Sequence, residues 1–280
     1  MLTLPVSGSR VLITRIGFGC ARIFGGSEMR ASTELIEAAL SMGIRHFDTA
    51  PSYGAGGSEA VLGKVLAGID DVTITSKIGI PRPNRTGWSH SASVVYRRYV
   101  RPLLSHFPHA KAKLLQIVHS GNVAAASSDT RQPRRLLTRD EVLSGLDETL
   151  KQLRRDRIDL YLIHEPDQFE LRDAVRELFV ELQVNGRVGA FGLAWGRVGD
   201  ADLTFGTVAQ GRYADNLPAY AKPEQTRIFH GVLRYNQFEP REKGGAGIRI
   251  RRVLRAHPDA AVIFSASTPR QIRSIIQQSS

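Results

Sequence analysis

The sequence predicts an α/β protein with a (β/α)₈ barrel, and three observations support that fold class. Short apolar runs alternate with amphipathic helical patterns, and repeated strand–helix units of this kind form parallel sheets covered by helices. Five strand candidates precede residue 195, and the rest of the chain has room for three more, which would complete eight units. An open doubly wound sheet is the alternative, but the first strand is not followed by a GxGxxG turn and a helix.

The strand candidates are short apolar runs bounded by polar or glycine-containing turns. We expect an N-terminal hairpin ahead of the first barrel strand. The first five strands are predicted at 15–19, 44–48, 72–77, 158–164 and 187–194. The last three are predicted around 213–219, at 229–236 and at 260–265.

The helices between these strands carry recognisable start and stop signals. Ser32 is the predicted N-cap of the first helix, and Gly43 is its predicted stop. Thr138 and Glu141 stand in capping-box spacing at the start of another. The helices are predicted at 32–43, 58–68, 138–155, 171–186 and 247–257.

One segment interrupts the alternation, so we predict a single barrel domain over 1–280 with 80–137 as an inserted, lid-like segment. The net charge of +11 is concentrated here, because residues 82–139 hold eleven basic side chains and one acidic one. A basic lid indicates an anionic substrate, whereas a basic solvated loop is an equally acceptable interpretation. Nucleic-acid binding is disfavoured, since the segment has few aromatic residues and no recognisable module.

Composition and missing motifs exclude several classes of protein. The single cysteine, Cys20, rules out an internal disulfide and fits a reducing compartment, so we expect a cytoplasmic protein. No apolar run approaches the length of a membrane helix. The chain has no GxxxxGK[ST] phosphate loop, no GxSxG elbow, no HExxH and no paired cysteine ligands, and we predict no metal site.

Polar residues end several of the predicted strands. Asp48, Lys77 and His164 each close an apolar run, and Tyr53 follows Asp48 by five residues. In a barrel of this kind, the carboxyl ends of the strands form the active-site face. A tyrosine with a pKa of about 10 is a poor proton donor at neutral pH, and a neighbouring ammonium lowers that pKa. These side chains are the parts of a proton-donating site for carbonyl reduction.

The motifs FDTAPSYGAGGSEAVLGKVL at 47–66, ITSKIG at 74–79 and DLYLIHEPD at 159–167 occur in the order seen in the aldo-keto reductases. The chain resembles that family over most of its length and departs from it in the basic insertion. The resemblance implies a (β/α)₈ barrel and NADPH as the cofactor. It also implies that Tyr53 is the general acid, Lys77 and Asp48 tune it, and His164 orients the substrate.

The predicted cofactor site lies mainly in the second half, where the family pattern weakens. Ala194-Trp195 stands where the family usually has Ser-Asn, and Gln271 stands at the usual arginine position for the 2′-phosphate. The stretch 262–275 resembles the family's phosphate-binding segment, although an ordinary polar turn into a helix is the alternative. Tyr235 is predicted to stack on the nicotinamide or to pack in the core. The cofactor-binding candidates are Gly19, Trp195, Tyr235, Ser265, Ser267, Thr268, Arg270 and Gln271.

The sequence therefore predicts an NADPH-dependent oxidoreductase that interconverts a small carbonyl compound and an alcohol. Two alternatives stay open. One keeps the barrel and uses it for a lyase, dehydratase or epimerase reaction, which the Ala194-Trp195 departure suggests. The other is a non-catalytic subunit that binds the cofactor and a protein partner, with the basic insertion as the docking surface.

Overall fold

A computed structural model describes residues 1–83, 134–195, 204–213, 222, 224–233 and 245–279. These residues belong to one compact unit formed by Met1–Pro83 and Arg134–Ser280. Tyr235 and residues 84–133 of the basic insertion lie outside the described part, so the interpretation of 80–137 as a lid stays a prediction.

Eight parallel strands close into a barrel, which confirms the predicted fold class. An antiparallel hairpin of β1 (Thr3–Pro5) and β2 (Leu12–Thr14) precedes it, as expected. A two-residue ladder between β6 (Arg135–Leu136) and β8 (Phe169–Glu170) lies outside the barrel. The barrel strands are β3 (Ile16–Gly19), β4 (His46–Asp48), β5 (Thr73–Ile78), β7 (Ile158–His164), β9 (Val188–Trp195), β10 (Val208–Arg212), β11 (Thr226–His230) and β12 (Ala260–Phe264).

Two of the late strands lie earlier in the chain than the sequence predicted. The strand expected around 213–219 is β10 at Val208–Arg212, and the one expected at 229–236 is β11 at Thr226–His230. Residues 214–220 and 234–236 lie outside the described part. The polar Gln210 and Gly211 interrupt the apolar pattern of β10, so its signal in the sequence is weak.

The helices of the described residues surround the barrel. The capping box at Thr138 and Glu141 is present, since each side chain meets the backbone N–H of the other residue. The predicted N-cap at Ser32 is wrong, because the first helix begins three residues earlier and the buried Ser32 hydroxyl bonds to the backbone of Phe24. The helices are α1 (Met29–Ser41), α2 (Ser58–Val65), α3 (Arg139–Leu153), α4 (Asp173–Val184), α5 (Ala246–Ala256) and α6 (Pro269–Ser279).

The barrel interior is apolar at one end and polar at the other. Val6, Val11 and Ile13 of the hairpin region pack with small and branched side chains from the strands, which fills the bottom of the barrel. A larger apolar layer lies between the strands and the helices. The polar side chains of the barrel interior lie at the opposite end, where the strands finish. Within the described residues, no helix is long and apolar enough to cross a membrane.

Candidate active site

Asp48 and Lys77 form a buried ion pair at the carboxyl ends of the neighbouring strands β4 and β5. The Lys77 ammonium donates to Asp48 Oδ1 at 2.7 Å and to the Thr49 carbonyl oxygen at 2.8 Å. The two side chains are 1% and 5% exposed for Lys77 and Asp48 respectively. Charges this deeply buried persist only when they are paired, so each side chain holds the other in place.

Tyr53 lies beside this pair at the start of a tight turn, Tyr53–Gly56. The Lys77 Nζ atom is 4.7 Å from the centroid of the Tyr53 ring. Gly54 and Ala55 follow in left-handed conformations, with φ values of 56° and 52°. A side chain at Gly54 would collide with the carbonyl oxygen of Ile23, so only glycine permits this close approach.

A second buried carboxylate, that of Glu59, stabilises the Tyr53–Gly56 turn through Arg82. Glu59 on α2 is fully buried and accepts hydrogen bonds from Ser76 Oγ at 2.6 Å and Thr149 Oγ1 at 3.0 Å. Arg82 pairs with Glu59 and also donates to the backbone carbonyl of Gly56, the last residue of the turn. The Tyr53 turn is thereby tied to the loop that follows β5.

Burial changes the acid–base character of Tyr53. Its pKa is raised because desolvation disfavours the phenolate, and this outweighs the lowering effect of the Lys77 ammonium. Lys77 lowers the pKa of Tyr53, as the sequence predicted, but the net shift of that pKa is upward. The pKa of Lys77 is also raised: desolvation of the ammonium lowers it, but the combined attraction of and hydrogen bonds to Asp48 and Tyr53 outweigh that effect. Tyr53 is therefore protonated and Lys77 charged at neutral pH.

His164 closes the site from the end of β7. Its ring lies edge-on to the Tyr53 ring, with centroids 5.9 Å apart. Burial lowers the pKa of His164 to about 3, so the imidazole is neutral under ordinary conditions. A neutral imidazole has one N–H donor, which suits the orientation of a carbonyl oxygen better than a second positive charge.

Gln210 on β10 belongs to the same group, and sequence reasoning missed it. Its Nε2 atom donates to Asp48 Oδ1 at 3.0 Å, so that oxygen accepts from both Gln210 and Lys77. The Gln210 Oε1 atom is buried and has no hydrogen-bond partner among the described residues. Arg212 and His230, at the ends of β10 and β11, also line this cavity and were missed. A polar residue within an apolar strand, the signal that identified Asp48, could also have identified these three residues. The predicted positions of β10 and β11 were too late in the chain for that signal to be recognised.

The predicted residues line two adjoining cavities. The first has a volume of about 830 Å³ and is lined by Gly19, Asp48, Tyr53, Lys77, His164, Trp195 and Ser265, among others. The second has a volume of about 670 Å³ and is lined by Ser265, Ser267, Thr268, Arg270 and Gln271, among others. Leu233 and Ser265 line both cavities, which places the two groups of candidates side by side.

The loop before α6 is held together by its own polar side chains. Ser265 Oγ donates to the Gly19 carbonyl oxygen at 2.7 Å, which ties the loop to β3. Thr268 caps the helix, since its Oγ1 accepts from the backbone N–H of Gln271 at 3.2 Å. Gln271 Oε1 in turn accepts from the backbone N–H of Ser267 at 2.8 Å. Gln271 therefore stabilises this loop, whereas Arg270 extends from α6 at the second cavity.

The cavities suit a nicotinamide dinucleotide. Gln210 Oε1, buried and unpartnered among the described residues, is an acceptor available to an amide N–H in the first cavity. The polar loop at the start of α6 provides hydroxyls and a guanidinium for phosphate in the second. Ala194 and Trp195 line the first cavity, so the Ser-Asn amide contacts of the family are absent here. No cluster of metal-ligating side chains occurs in the part of the chain that the structure describes.

The chain also matches a known protein family. The model of the Aldo/keto reductase family matches residues 15–207, which is more than half of the chain. The chain therefore belongs to the aldo-keto reductase family.

Two relatives of known family resemble part of the chain. The aldo-keto reductase YhdN of Bacillus subtilis (strain 168) is 26% identical over 196 residues, covering 68% of this chain and 45% of that protein. D-threo-aldose 1-dehydrogenase of a Pseudomonas species is 28% identical over 191 residues, covering 65% of this chain and 50% of that protein. The matched stretch thus spans about half the length of these relatives.

Solved structures show the same fold over nearly the whole chain. A protein of Pseudomonas aeruginosa assigned to the aldo-keto reductases aligns with a TM-score of 0.65 at 20% identity, covering 99% of this chain and 96% of that one. An aldo-keto reductase of Klebsiella pneumoniae in complex with NADPH aligns with a TM-score of 0.63 at 15% identity, covering 99% and 90%. At these identities the likeness concerns the fold.

Proposed function

We propose that this protein is an NADPH-dependent oxidoreductase that interconverts an aldehyde, ketone or sugar-like carbonyl compound and the corresponding alcohol. The observation that supports this proposal is the arrangement of Tyr53, a buried Asp48–Lys77 ion pair and a neutral His164 around one cavity. A proton donor, the charge that stabilises its anion, and a neutral donor for the substrate oxygen are thereby in one place.

In this reaction the protein supplies the proton for the carbonyl oxygen and stabilises the group that gives it up. Tyr53 gives its hydroxyl proton to the carbonyl oxygen, and the Lys77 ammonium stabilises the phenolate that remains. Asp48 keeps Lys77 charged and oriented through the 2.7 Å hydrogen bond. The neutral His164 orients the carbonyl oxygen toward Tyr53. When bound, the cofactor supplies the hydride for the carbonyl carbon.

We propose that the first cavity binds the nicotinamide end of NADPH and that the second binds its phosphates. Gln210 is the proposed partner of the carboxamide, because its Nε2 atom is fixed on Asp48 and its Oε1 atom has no hydrogen-bond partner in the described part of the chain. Gly19 allows the loop before α6 to approach β3, since a Cβ at Gly19 would lie 2.8 Å from Ser265 Oγ. Arg270, beside Gln271, is the proposed contact for the 2′-phosphate, which favours NADPH over NADH. Trp195 lines the nicotinamide end, and the role of Tyr235 stays a prediction.

The remaining parts of the proposal concern the cellular compartment, the domain organisation and the class of substrate. We place the protein in the cytoplasm, which family membership and the single cysteine support. We also propose one barrel domain over the whole chain, with 80–137 as an inserted segment. The substrate is a small molecule and not a nucleic acid.

The departure at Ala194-Trp195 supports a second candidate function. With these side chains on the cavity wall, the amide contacts of the family are missing, and a barrel with non-redox chemistry or a purely binding role would have this composition. The two candidates differ in one respect, because only the oxidoreductase couples cofactor oxidation to turnover.

The test is a titration of the purified chain with NADPH and NADH, followed by quenching of cofactor fluorescence, and then a panel of carbonyl substrates. We expect binding of NADPH and loss of its absorbance at 340 nm with at least one carbonyl compound. Binding without turnover over the whole panel would favour the binding subunit. Failure to bind either cofactor would make the redox proposal untenable.

A further inference from the structure

The first cavity contains a cationic side chain that the proposed reaction does not use. Arg212 is the last residue of β10 and lines the same cavity as Tyr53, Lys77 and His164. Among the described residues, it makes no ion pair and no side-chain hydrogen bond. A guanidinium carries its charge at every accessible pH and has five donors, so a cavity wall that contains one favours an anion.

The strand geometry fixes where Arg212 lies relative to the catalytic groups. Side chains two residues apart on a strand point to the same face. Gln210 points toward Asp48, and Arg212 therefore stands on that face one layer closer to the mouth of the barrel. Gly231, which follows the neighbouring strand β11, leaves room for the Arg212 side chain because it has no side chain of its own. A Cβ built at Gly231 would lie 3.3 Å from Arg212 Cγ.

Arg212 has no ion-pair partner among the described residues that line the cavity. The Asp48 carboxylate is neutralised by Lys77 within the buried pair, and His164 is neutral. Glu165 also lines the cavity but forms no ion pair with Arg212. The charged side chains of the described lining are therefore the Asp48–Lys77 pair, Glu165 and Arg212, and Arg212 is the cation of this set that forms no ion pair with a carboxylate.

We propose that Arg212 binds an anionic group, a carboxylate or a phosphate, at the mouth of the active-site cavity. The inference deepens the proposed function, on which it partly rests, by assigning the residue that selects a charged ligand. The anion has two possible carriers. It belongs either to the carbonyl substrate or to the diphosphate of the cofactor, and the same guanidinium chemistry serves both.

The experiment compares Arg212→Gln with the wild-type chain and with Arg30→Gln. Arg30 is an exposed arginine outside the cavity lining, so this control removes the same charge elsewhere. Turnover is measured with 4-carboxybenzaldehyde and with its neutral ester, methyl 4-formylbenzoate, at saturating NADPH. The Kd for NADPH is measured separately. Calorimetric titrations with inorganic pyrophosphate and with terephthalate provide a readout that needs no turnover.

If the substrate carries the anion, Arg212→Gln lowers kcat/KM for the carboxylate by about tenfold to a hundredfold and leaves the ester within about twofold. If the cofactor carries it, the Kd for NADPH rises by a similar factor, while kcat/KM for both aldehydes at saturating NADPH stays within about twofold of the wild-type values. Loss of pyrophosphate or terephthalate binding in Arg212→Gln supports the anion site even if the chain reduces neither aldehyde. The proposal is overturned if Arg212→Gln matches Arg30→Gln in all three measurements.

Discussion

The polar side chains of the candidate site have different surroundings in the two halves of the barrel. On β4 and β5, the catalytic candidates Asp48 and Lys77 are buried and paired with each other. On the side of β12 and α6, the candidates lie at an exposed loop whose hydroxyls and amides bond to the loop itself. The first half is built around one ion pair, whereas the second is built from several weaker contacts.

The difference follows from what each half has to do. Proton transfer depends on the pKa of one hydroxyl, and such a pKa is controlled only by burial and by charges at fixed distances. Binding of a dinucleotide is distributed over many contacts, each contributing little, so substitutions such as Trp195 or Gln271 are tolerable. Changes in the catalytic half should therefore have larger effects than changes in the cofactor half.

Tyr53→Phe should have the largest effect on activity. It removes the proposed proton donor, and we expect kcat to fall by about 10²- to 10⁴-fold while the Kd for NADPH is unchanged. Tyr161→Phe is the matched control, because it deletes a fully buried hydroxyl that has no hydrogen-bond partner among the described residues. Steady-state kinetics and cofactor titration measure both variants. Unchanged kcat in Tyr53→Phe would remove Tyr53 from the mechanism.

Lys77→Met should reduce stability as well as activity. It leaves the Asp48 carboxylate buried without its cation, which costs about 3–5 kcal/mol in the free energy of unfolding. The double variant Asp48→Asn/Lys77→Met removes both charges and should recover much of that stability without recovering turnover. Urea unfolding and kinetics separate the two effects. A single variant as stable as the wild type would contradict the buried ion pair.

His46 should make the catalytic half sensitive to acid. It is fully buried between Thr73 and Thr75, and burial lowers its pKa from 6.5 to about 4. The unfolded chain binds the proton first as the pH falls, so stability is full above pH 6.5 and is lost between about pH 6.5 and 4. The total loss is about 3 kcal/mol.

The variant His46→Gln isolates this contribution, because the other histidines are unchanged. Its free energy of unfolding should be lower at pH 7 but should fall less steeply than the wild-type value between pH 6.5 and 4. Urea unfolding at several pH values measures the two slopes. Equal slopes would mean that folding leaves the pKa of His46 unchanged.

Gln271→Arg should have the smallest effect and should act only on cofactor binding. A guanidinium at the start of α6 would strengthen the binding of NADPH through its 2′-phosphate by up to about tenfold, and salt would weaken this gain. The affinity for NADH should not rise, because NADH has no 2′-phosphate. The loss of the hydrogen bond from Ser267 N–H weakens the loop for both cofactors and offsets part of the gain for NADPH. A parallel gain for NADH would show that the new side chain contacts another part of the cofactor.

Much of the fold was predictable because its signals are local. The capping box at Thr138 and the strand Ile158–His164 both lie where the sequence predicted them. Ser32 was misread, because a serine before a helical pattern looks the same whether it caps the helix or bonds to a distant backbone. The strand containing Gln210 was misplaced, because polar residues that face a cavity break the apolar pattern that marks a strand.

The sequence by itself determined that Asp48, Lys77 and His164 end parallel strands, which is enough to predict that they share one face. The tertiary structure alone decided that Gln210 joins Asp48, that Arg212 stands above them, and that burial raises the pKa of Tyr53. The physical reason is the range of the interactions. Strand ends follow from neighbouring residues, whereas desolvation and charge compensation sum over side chains that the closed barrel brings together from distant parts of the chain.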